Sequence, residues 1–219
     1  MVATPVARQF GGARRRLIEE LQQKGIKDMA VLKAFDDVPR HLFVPTGVQH
    51  RAYEDAPLPI GHGQTISQPW VHARYLELLG LTGRERVLEI GTGSGFQTAL
   101  LSRLASQVFT VERIAALAEE AQRAFAATGI ANVAQRVGDG SLGWPEFAPY
   151  DAILVGAASP DVPRPLVEQL TIGGQLLVPI GGRDEQVLVR VRRTPEGEER
   201  MSLEAVRFVP LIGTHGFRD

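Results

Sequence analysis

The residues best placed to do chemistry lie between positions 86 and 99. An apolar stretch, Val87-Leu88-Glu89-Ile90, runs into Gly91, Gly93 and Gly95 at alternate positions, and an amphipathic segment follows at once. Glycine lets a chain turn sharply and lets a ligand lie against bare backbone. The first N–H groups of a following helix point at the same spot. Such a run either cradles a nucleotide-like group or is a bare strand-to-helix turn. The next β-rich stretch, Gln107–Val111, ends at Glu112. An acid there can accept hydrogen bonds from ribose hydroxyls, or it is a solvated acid at a strand end. Gly138-Asp139-Gly140 follows a third such stretch. Its carboxylate can meet an adenine amino group while the glycine admits the ring, although Asp-Gly is equally a common turn pair.

The dinucleotide fingerprint G-x-G-x-x-G fails here, because Phe96 stands where its last glycine would be. Glycines at 91, 93 and 95 with an acid about twenty residues on instead resemble the S-adenosylmethionine loop of Rossmann-like methyltransferases. The fourth strand ends in Val155-Gly156-Ala157-Ala158-Ser159-Pro160. Ligands on such sheets sit outside the carboxyl ends of the strands, and small residues there leave room for a methyl donor and an acceptor. The polar Asn-Pro-Pro-Tyr type of set that holds an amine nitrogen is missing, which favours an oxygen acceptor. A Pro- and Gly-rich loop over residues 53–69 has no helical or strand period and carries Ser67 just before a helical pattern. Its hydroxyl is either an N-cap or faces bound ligands.

These residues need a framework, and the chain supplies an α/β one. Leu17, Ile18 and Leu21 mark a first helix ended by Gly25, Asp28 can cap a second through Phe35, and Val71, Tyr75, Leu78 and Leu79 mark another. Residues 38–45, with two prolines, read as extended or turning. Strands are expected at 86–90, 107–111, 133–137, 150–155 and 175–180. Helices are expected at 97–105, 114–128 and 163–170, with a short turn near 141–147. That alternation predicts a doubly wound, mostly parallel sheet. Gln186–Arg192 and Leu203–Leu211 alternate on either side of the turn Thr194-Pro195-Glu196-Gly197, so an antiparallel hairpin should finish one edge. The whole chain, 1–219, reads as one domain: a loose arm over 1–12, helices and a ligand-binding loop over 13–69, and a Rossmann-like core over 70–219.

Composition narrows the function. The chain has 219 residues, 44% hydrophobic and 22% charged, as a globular domain should. Its formal net charge of −1 provides no field to recruit nucleic acid or an anionic membrane. Without cysteine there is no disulfide, thiolate metal site or cysteine nucleophile, and five scattered histidines show no metal-ligand spacing. No metal is expected. No stretch has the length of a signal core or membrane span, so cytoplasm is the expected location.

Beyond the glycine loop, the residues resemble the protein-L-isoaspartate (D-aspartate) O-methyltransferase family. The resemblance is carried by Tyr53–Gly61, Gln64–Pro69, Val87–Ala99, Thr110–Arg113, Gly138–Gly140, Tyr150–Ala158, Gly173–Gly181 and Val206–Leu211, and spans roughly residues 10–212. Gln64-Thr65-Ile66-Ser67 with its following proline is the more specific part. The resemblance implies a class I S-adenosylmethionine-dependent methyltransferase fold. It implies a cytosolic monomer that methylates L-isoaspartyl, and also D-aspartyl, sites of damaged proteins and peptides and starts their repair through a succinimide. It places Ser67 at the family's active-site serine, with Ile66, Val209 and Pro210 beside the peptide. Ile60, Gly61, His62, Gly63 and His72 would line the methionine end of the cofactor. Glu89, Gly91, Thr92, Gly93, Ser94 and Gly95 would pack on it. Glu112 and Arg113 would lie at the ribose, and Asp139 and Gly140 at the adenine. Trp70, where many members have His, and Gly156, where several have Thr, depart from the family pattern. A methyltransferase for a small carboxylic acid or for RNA, and a domain that only binds, are the rival readings. The intact glycines and acids argue against the last.

Overall fold

The computed structural model describes residues 5–218, with side chains from residue 10 onward. Helices α1 (Pro5–Gln23) and α2 (Met29–Asp37) open the chain, and 3-10 turns over Arg40–Phe43 and Thr46–Arg51 lead into strands β1 (Leu58–Gly61) and β2 (Gln64–Ile66). Helix α3 (Pro69–Leu79) follows. The α/β unit then runs β3 (Arg86–Ile90), α4 (Phe96–Leu104), β4 (Gln107–Glu112), α5 (Ala115–Thr128), β5 (Val133–Val137), β6 (Tyr150–Val155), α6 (Arg164–Glu168), β7 (Leu170–Gly181), β8 (Gln186–Thr194) and β9 (Gly197–Val206).

The main sheet has seven strands in the order β5-β4-β3-β6-β7-β8-β9. β5 to β7 are parallel, and β8 and β9 form the expected antiparallel edge hairpin. Its core strands are apolar because both faces are covered. Val87, Val108, Ala152, Leu154 and Leu177 face one cluster with α1 to α5. Leu88, Ile90, Phe109, Val111, Ile153, Val155, Leu176 and Val178 face the other, with Leu166 of α6. The chain leaves β3 for β4 and β5 on one side and returns to β6 on the other, so the strand order reverses between β3 and β6. A crevice must open there, outside the carboxyl ends of the strands.

Three elements differ from expectation. The loose arm over 1–12 is helical from Pro5; residues 1–4 of it lie outside the described ones. Gly11 and Gly12 weaken a helix, but Phe10 offsets them by stacking on His41 at 4.4 Å and lying near Tyr53. Residues 40–43 turn, as expected, and do so as a 3-10 helix. The unpatterned loop over 53–69 contains the β1-β2 hairpin. Its two-residue turn, His62-Gly63, has both residues at positive φ (51° and 68°), the geometry a tight hairpin requires. The last strand stops at Val206, and the chain then crosses to Ala158, which exchanges hydrogen bonds with Val209 and Leu211.

Gly95 shows why the glycine loop has its sequence. It adopts φ +83°, and a Cβ there would sit 2.7 Å from Phe125 and 3.0 Å from Ala121 of α5. Gly95→Ala should therefore destabilise the fold by about 2–4 kcal/mol, combining left-handed strain with overpacking. Urea unfolding measures this, and a loss below about 0.5 kcal/mol would show that α5 yields freely.

Candidate functional site

A cavity of about 410 Å³ fills the crevice. The glycine loop forms its floor through Gly91, Thr92, Gly93 and Ser94, with Glu89 and Ile90 at the end of β3 and Glu112, Arg113 and Ile114 after β4. The hairpin supplies a second wall through Ile60, Gly63 and Ile66, continued by Ser67 and by Val71, His72 and Tyr75 of α3. The chain after β9 closes the back with Phe208, Val209, Pro210, Leu211 and Ile212.

The carboxylate of Glu112 accepts from Gly93 N–H and from Ile114 N–H, each at 2.8 Å. One nearly buried side chain thus ties the turn after β3 to the turn after β4, and each oxygen keeps a lone pair for a ligand. Behind it, Thr98 and Thr110 hydroxyls both donate to Oε2 of Glu89, and the Thr92 hydroxyl meets that of Thr110 at 2.7 Å. Oε1 of Glu89 is buried without a partner. Burial pushes the Glu89 carboxyl up to about 8, against the pull of Thr98 and Thr110 and helped by the Glu112 charge. His72 is locked through Nδ1 to the Gln97 amide oxygen. Burial, reinforced by the charge of Arg40, drives its pKa down to about 3, so the ring is neutral. Its Nε2, the amide nitrogen of Gln97 and the hydroxyl of Tyr75 are also buried without partners. A cavity lined by stranded donors and acceptors has room for a ligand's polar groups.

Ser67 follows β2 directly. The residue that caps α3 is Gln68, and neither it nor Ser67 caps with its side chain. Asp55 does that work from a distance: Oδ1 accepts from Trp70 N–H, and Oδ2 from the Gln68 amide and Lys24. Burial alone would raise the Asp55 carboxyl, but the bonds from Lys24, Gln68 and Trp70 hold it below its usual range. The N-cap reading of Ser67 is thereby corrected. Its half-buried hydroxyl makes no hydrogen bond among the described residues and lies on the cavity wall.

The structure brings together Ile60, Gly63, Ile66, Ser67, His72, Glu89, Gly91, Thr92, Gly93, Ser94, Glu112, Arg113, Gly140, Val209 and Pro210. It leaves Gly61, His62, Gly95 and Asp139 off the cavity wall. Gly61, the last residue of β1, and His62, in the turn, are exposed, and Gly95 is glycine for the sake of Phe125. Asp139 faces the tail: it accepts from Ser141 N–H and hydroxyl and from Thr214 N–H and hydroxyl. Gly140 lines the cavity, but a Cβ there would meet Ile90 at 2.5 Å, so its bareness serves packing. Sequence reasoning missed Gln97, Tyr75 and Phe208. Gln97 carried a signal, being a lone amide in the first turn of an apolar helix straight after the glycines.

The sequence profile of the protein-L-isoaspartate(D-aspartate) O-methyltransferase family matches residues 13–216. The chain is 53% identical over 211 residues to the protein-L-isoaspartate O-methyltransferase of Dictyoglomus thermophilum, covering 96% of each chain. It is 50% identical to that of Syntrophus aciditrophicus, covering 95% of this chain and 98% of the relative. A solved protein-L-isoaspartate O-methyltransferase superposes with a TM-score of 0.85 at 33% identity, covering 93% of this chain and 67% of that one. A Plasmodium falciparum structure described as a beta-aspartate methyltransferase, in complex with S-adenosyl-L-homocysteine, gives 0.79 at 27%, covering 91% and 98%.

The shifted pKa values predict a pH slope. Glu89 binds its proton up to about 8 when folded and releases it at the usual carboxyl pH when unfolded. That stability is present at low pH and lost as pH rises through about 8. His72 acts oppositely, removing stability only as pH falls from its ordinary 6.5 toward 3. Between these windows Glu89 acts alone, so the Tm of the ligand-free protein should fall from pH 6.5 to 8, and Glu89→Gln should flatten the slope. Superimposable slopes for the two proteins would mean Glu89 is ionised in the fold.

Proposed function

The chain belongs to the protein-L-isoaspartate(D-aspartate) O-methyltransferase family, and on that premise we propose a role for each wall of its cleft. The enzyme transfers a methyl group from S-adenosylmethionine to the free carboxylate of L-isoaspartyl residues in damaged proteins and peptides. The observation that carries the assignment of residues is one apposition: Ser67 and the glycine loop line the same cavity, whose stranded polar atoms match the cofactor's groups. The cofactor brings a carboxylate, an ammonium, ribose hydroxyls and an adenine. The Gln97 amide suits the carboxylate, the free oxygen of Glu89 the ammonium, whose charge would draw the proton off that carboxyl, and the remaining lone pairs of Glu112 the ribose. Ile114, Leu117 and Gly140 suit the adenine, with Asp139 acting indirectly by fixing Thr214 and the tail. When bound, the cofactor supplies an electrophilic methyl on a positively charged sulfur.

The acceptor needs no general base. An ordinary carboxyl has a pKa of roughly 4 and is ionised at pH 7, which accords with a neutral His72 that is not called on to take a proton. Ser67 would donate a hydrogen bond to one carboxylate oxygen and leave the other free to attack. Ile66, Val209 and Pro210 would hold the peptide around it. Orientation of this kind can supply on the order of 7–11 kcal/mol of barrier lowering.

We further propose that residues 1–219 act as one domain and as a monomer in the cytoplasm, without nucleic-acid or membrane partners. The net charge of −1 supports this. Among the described residues, no helix is long and apolar enough to cross a membrane.

Labelled methyl donor with a matched peptide pair, one aspartyl and one isoaspartyl, tests the reading. Label should enter the isoaspartyl peptide alone; equal labelling of both, or preference for a free small acid, would sink it. Ser67→Ala should lower the rate about 10- to 1000-fold, the range for one lost positioning hydrogen bond. Cofactor affinity should be nearly unchanged. Because Asp55 and not Ser67 caps α3, stability should shift by less than about 0.5 kcal/mol. Wild-type turnover would remove Ser67 from the site, and complete loss in a folded variant would require a stronger role than orientation.

A further inference from the structure

Arg40 sits in the 3-10 turn after α2 and is 1% exposed. Its Nη2 donates to the carbonyl of Ser67 at 3.0 Å. Its guanidinium lies 4.7 Å from the centre of the Phe96 ring. Phe96 is the first residue of α4, straight after the glycine loop, and packs edge-on against His72. Nε and Nη1 of Arg40 have no partner, and no carboxylate forms an ion pair with it among the described residues. Burial lowers its pKa to about 9, with the charges of Asp55 and Tyr53 opposing the shift only in part.

A buried cation without a directly paired counter-ion is among the more expensive things a fold can hold, and an apolar side chain of similar length would be cheaper. Stability alone does not account for arginine here. The planar fork does two things that methionine cannot. It fixes the peptide that carries Ser67, and it stacks on the ring that opens the cofactor-side helix. Its charge also reaches the cavity, since it contributes to holding His72 neutral.

We propose that Arg40 is a positioning residue for methyl transfer: it locks the Ser67 peptide onto the glycine-loop side of the cleft and places a positive charge that no direct ion pair neutralises behind the point where the substrate carboxylate docks. The inference rests on the reading that Ser67 faces the acceptor. The anion would find its electrostatic partner in the second layer, and the surface that touches it would stay neutral. That arrangement favours a carboxylate over a neutral amide or ester without a contact that would bind it too tightly to react.

The test compares Arg40→Met and Arg40→Lys in the full chain, by isoaspartyl-peptide kinetics, calorimetry with S-adenosylmethionine and hydrogen exchange. Misplacing a positioning group by about 1 Å costs on the order of 10²-fold. Arg40→Met should therefore lower kcat by about 10- to 100-fold, with cofactor Kd within about threefold. Arg40→Lys, which keeps the charge, should fall in between. Exchange should speed up at residues 64–70 and stay unchanged in β3. Wild-type kcat in a folded Arg40→Met, a Lys variant no better than Met, or a loss shared equally by cofactor Kd would overturn the proposal. Should the Met variant fail to fold, the Lys variant decides, and wild-type kcat with unchanged exchange at 64–70 sinks the idea. If the wild type itself fails to methylate the isoaspartyl peptide, the functional reading falls. The exchange experiment still judges whether Arg40 holds the Ser67 segment.

Discussion

One carboxylate holds the cleft in shape. Glu112 ends β4, and its two oxygens take the N–H groups of Gly93 and Ile114. Parallel strands end in turns that have no ladder partner, so the loops at a carboxyl edge must be fixed by something else. Here a single side chain fixes both. The glycine loop is thereby held open for a ligand, and everything else in the site is arranged against that floor. The hairpin presses Ile60 onto Gly93, whose Cβ position lies 3.6 Å from it. Helix α4 begins on the loop, and the tail after β9 closes the far side.

A second carboxylate does the corresponding work for the acceptor side. Asp55 gathers Lys24 from the end of α1, the Gln68 side chain and the Trp70 N–H. The N-terminal helices are therefore part of the site's support, although only the segment from Ile60 onward lines it. Trp70 fits this role through its backbone, and its indole nitrogen donates to Lys24 carbonyl. Its side chain stays off the cavity wall.

Much of this was legible in the residues. Strands 86–90 and 150–155 appear at the expected positions because strands covered on both faces leave a largely apolar run between turn signals; the edge strand 133–137 also appears where expected, although it is only half-buried and holds Gln135 and Arg136. The hairpin over 58–66 was hidden by Pro59 and by glycines that break its alternation. Its one readable sign was His62-Gly63 between two short apolar stretches. The helix over 5–12 was hidden because its glycines oppose it and only a distant ring stack favours it. At the site, residue types were read correctly but their partners were not. Gly95, Gly140 and Asp139 are needed where they stand, yet the neighbours that require them are Phe125, Ile90 and Thr214. A sequence shows that a small or acidic residue is wanted; it does not show which of two nearby surfaces wants it. Gln97, Tyr75 and Arg40 escaped for the opposite reason. A polar residue in an otherwise apolar segment reads as surface until the fold buries it.

The back wall of the cleft has a consequence for how the protein fails. Phe208 to Ile212 line the cavity, and Thr214 and His215 bind back to Asp139 and Ser141. The glycine loop and the Ser67 segment are held by other partners, Glu112 and Arg40. A protease nick between β9 and Phe208 would therefore open the cleft to water on one side while its floor stayed folded, and methyl transfer would stop before the protein unfolded.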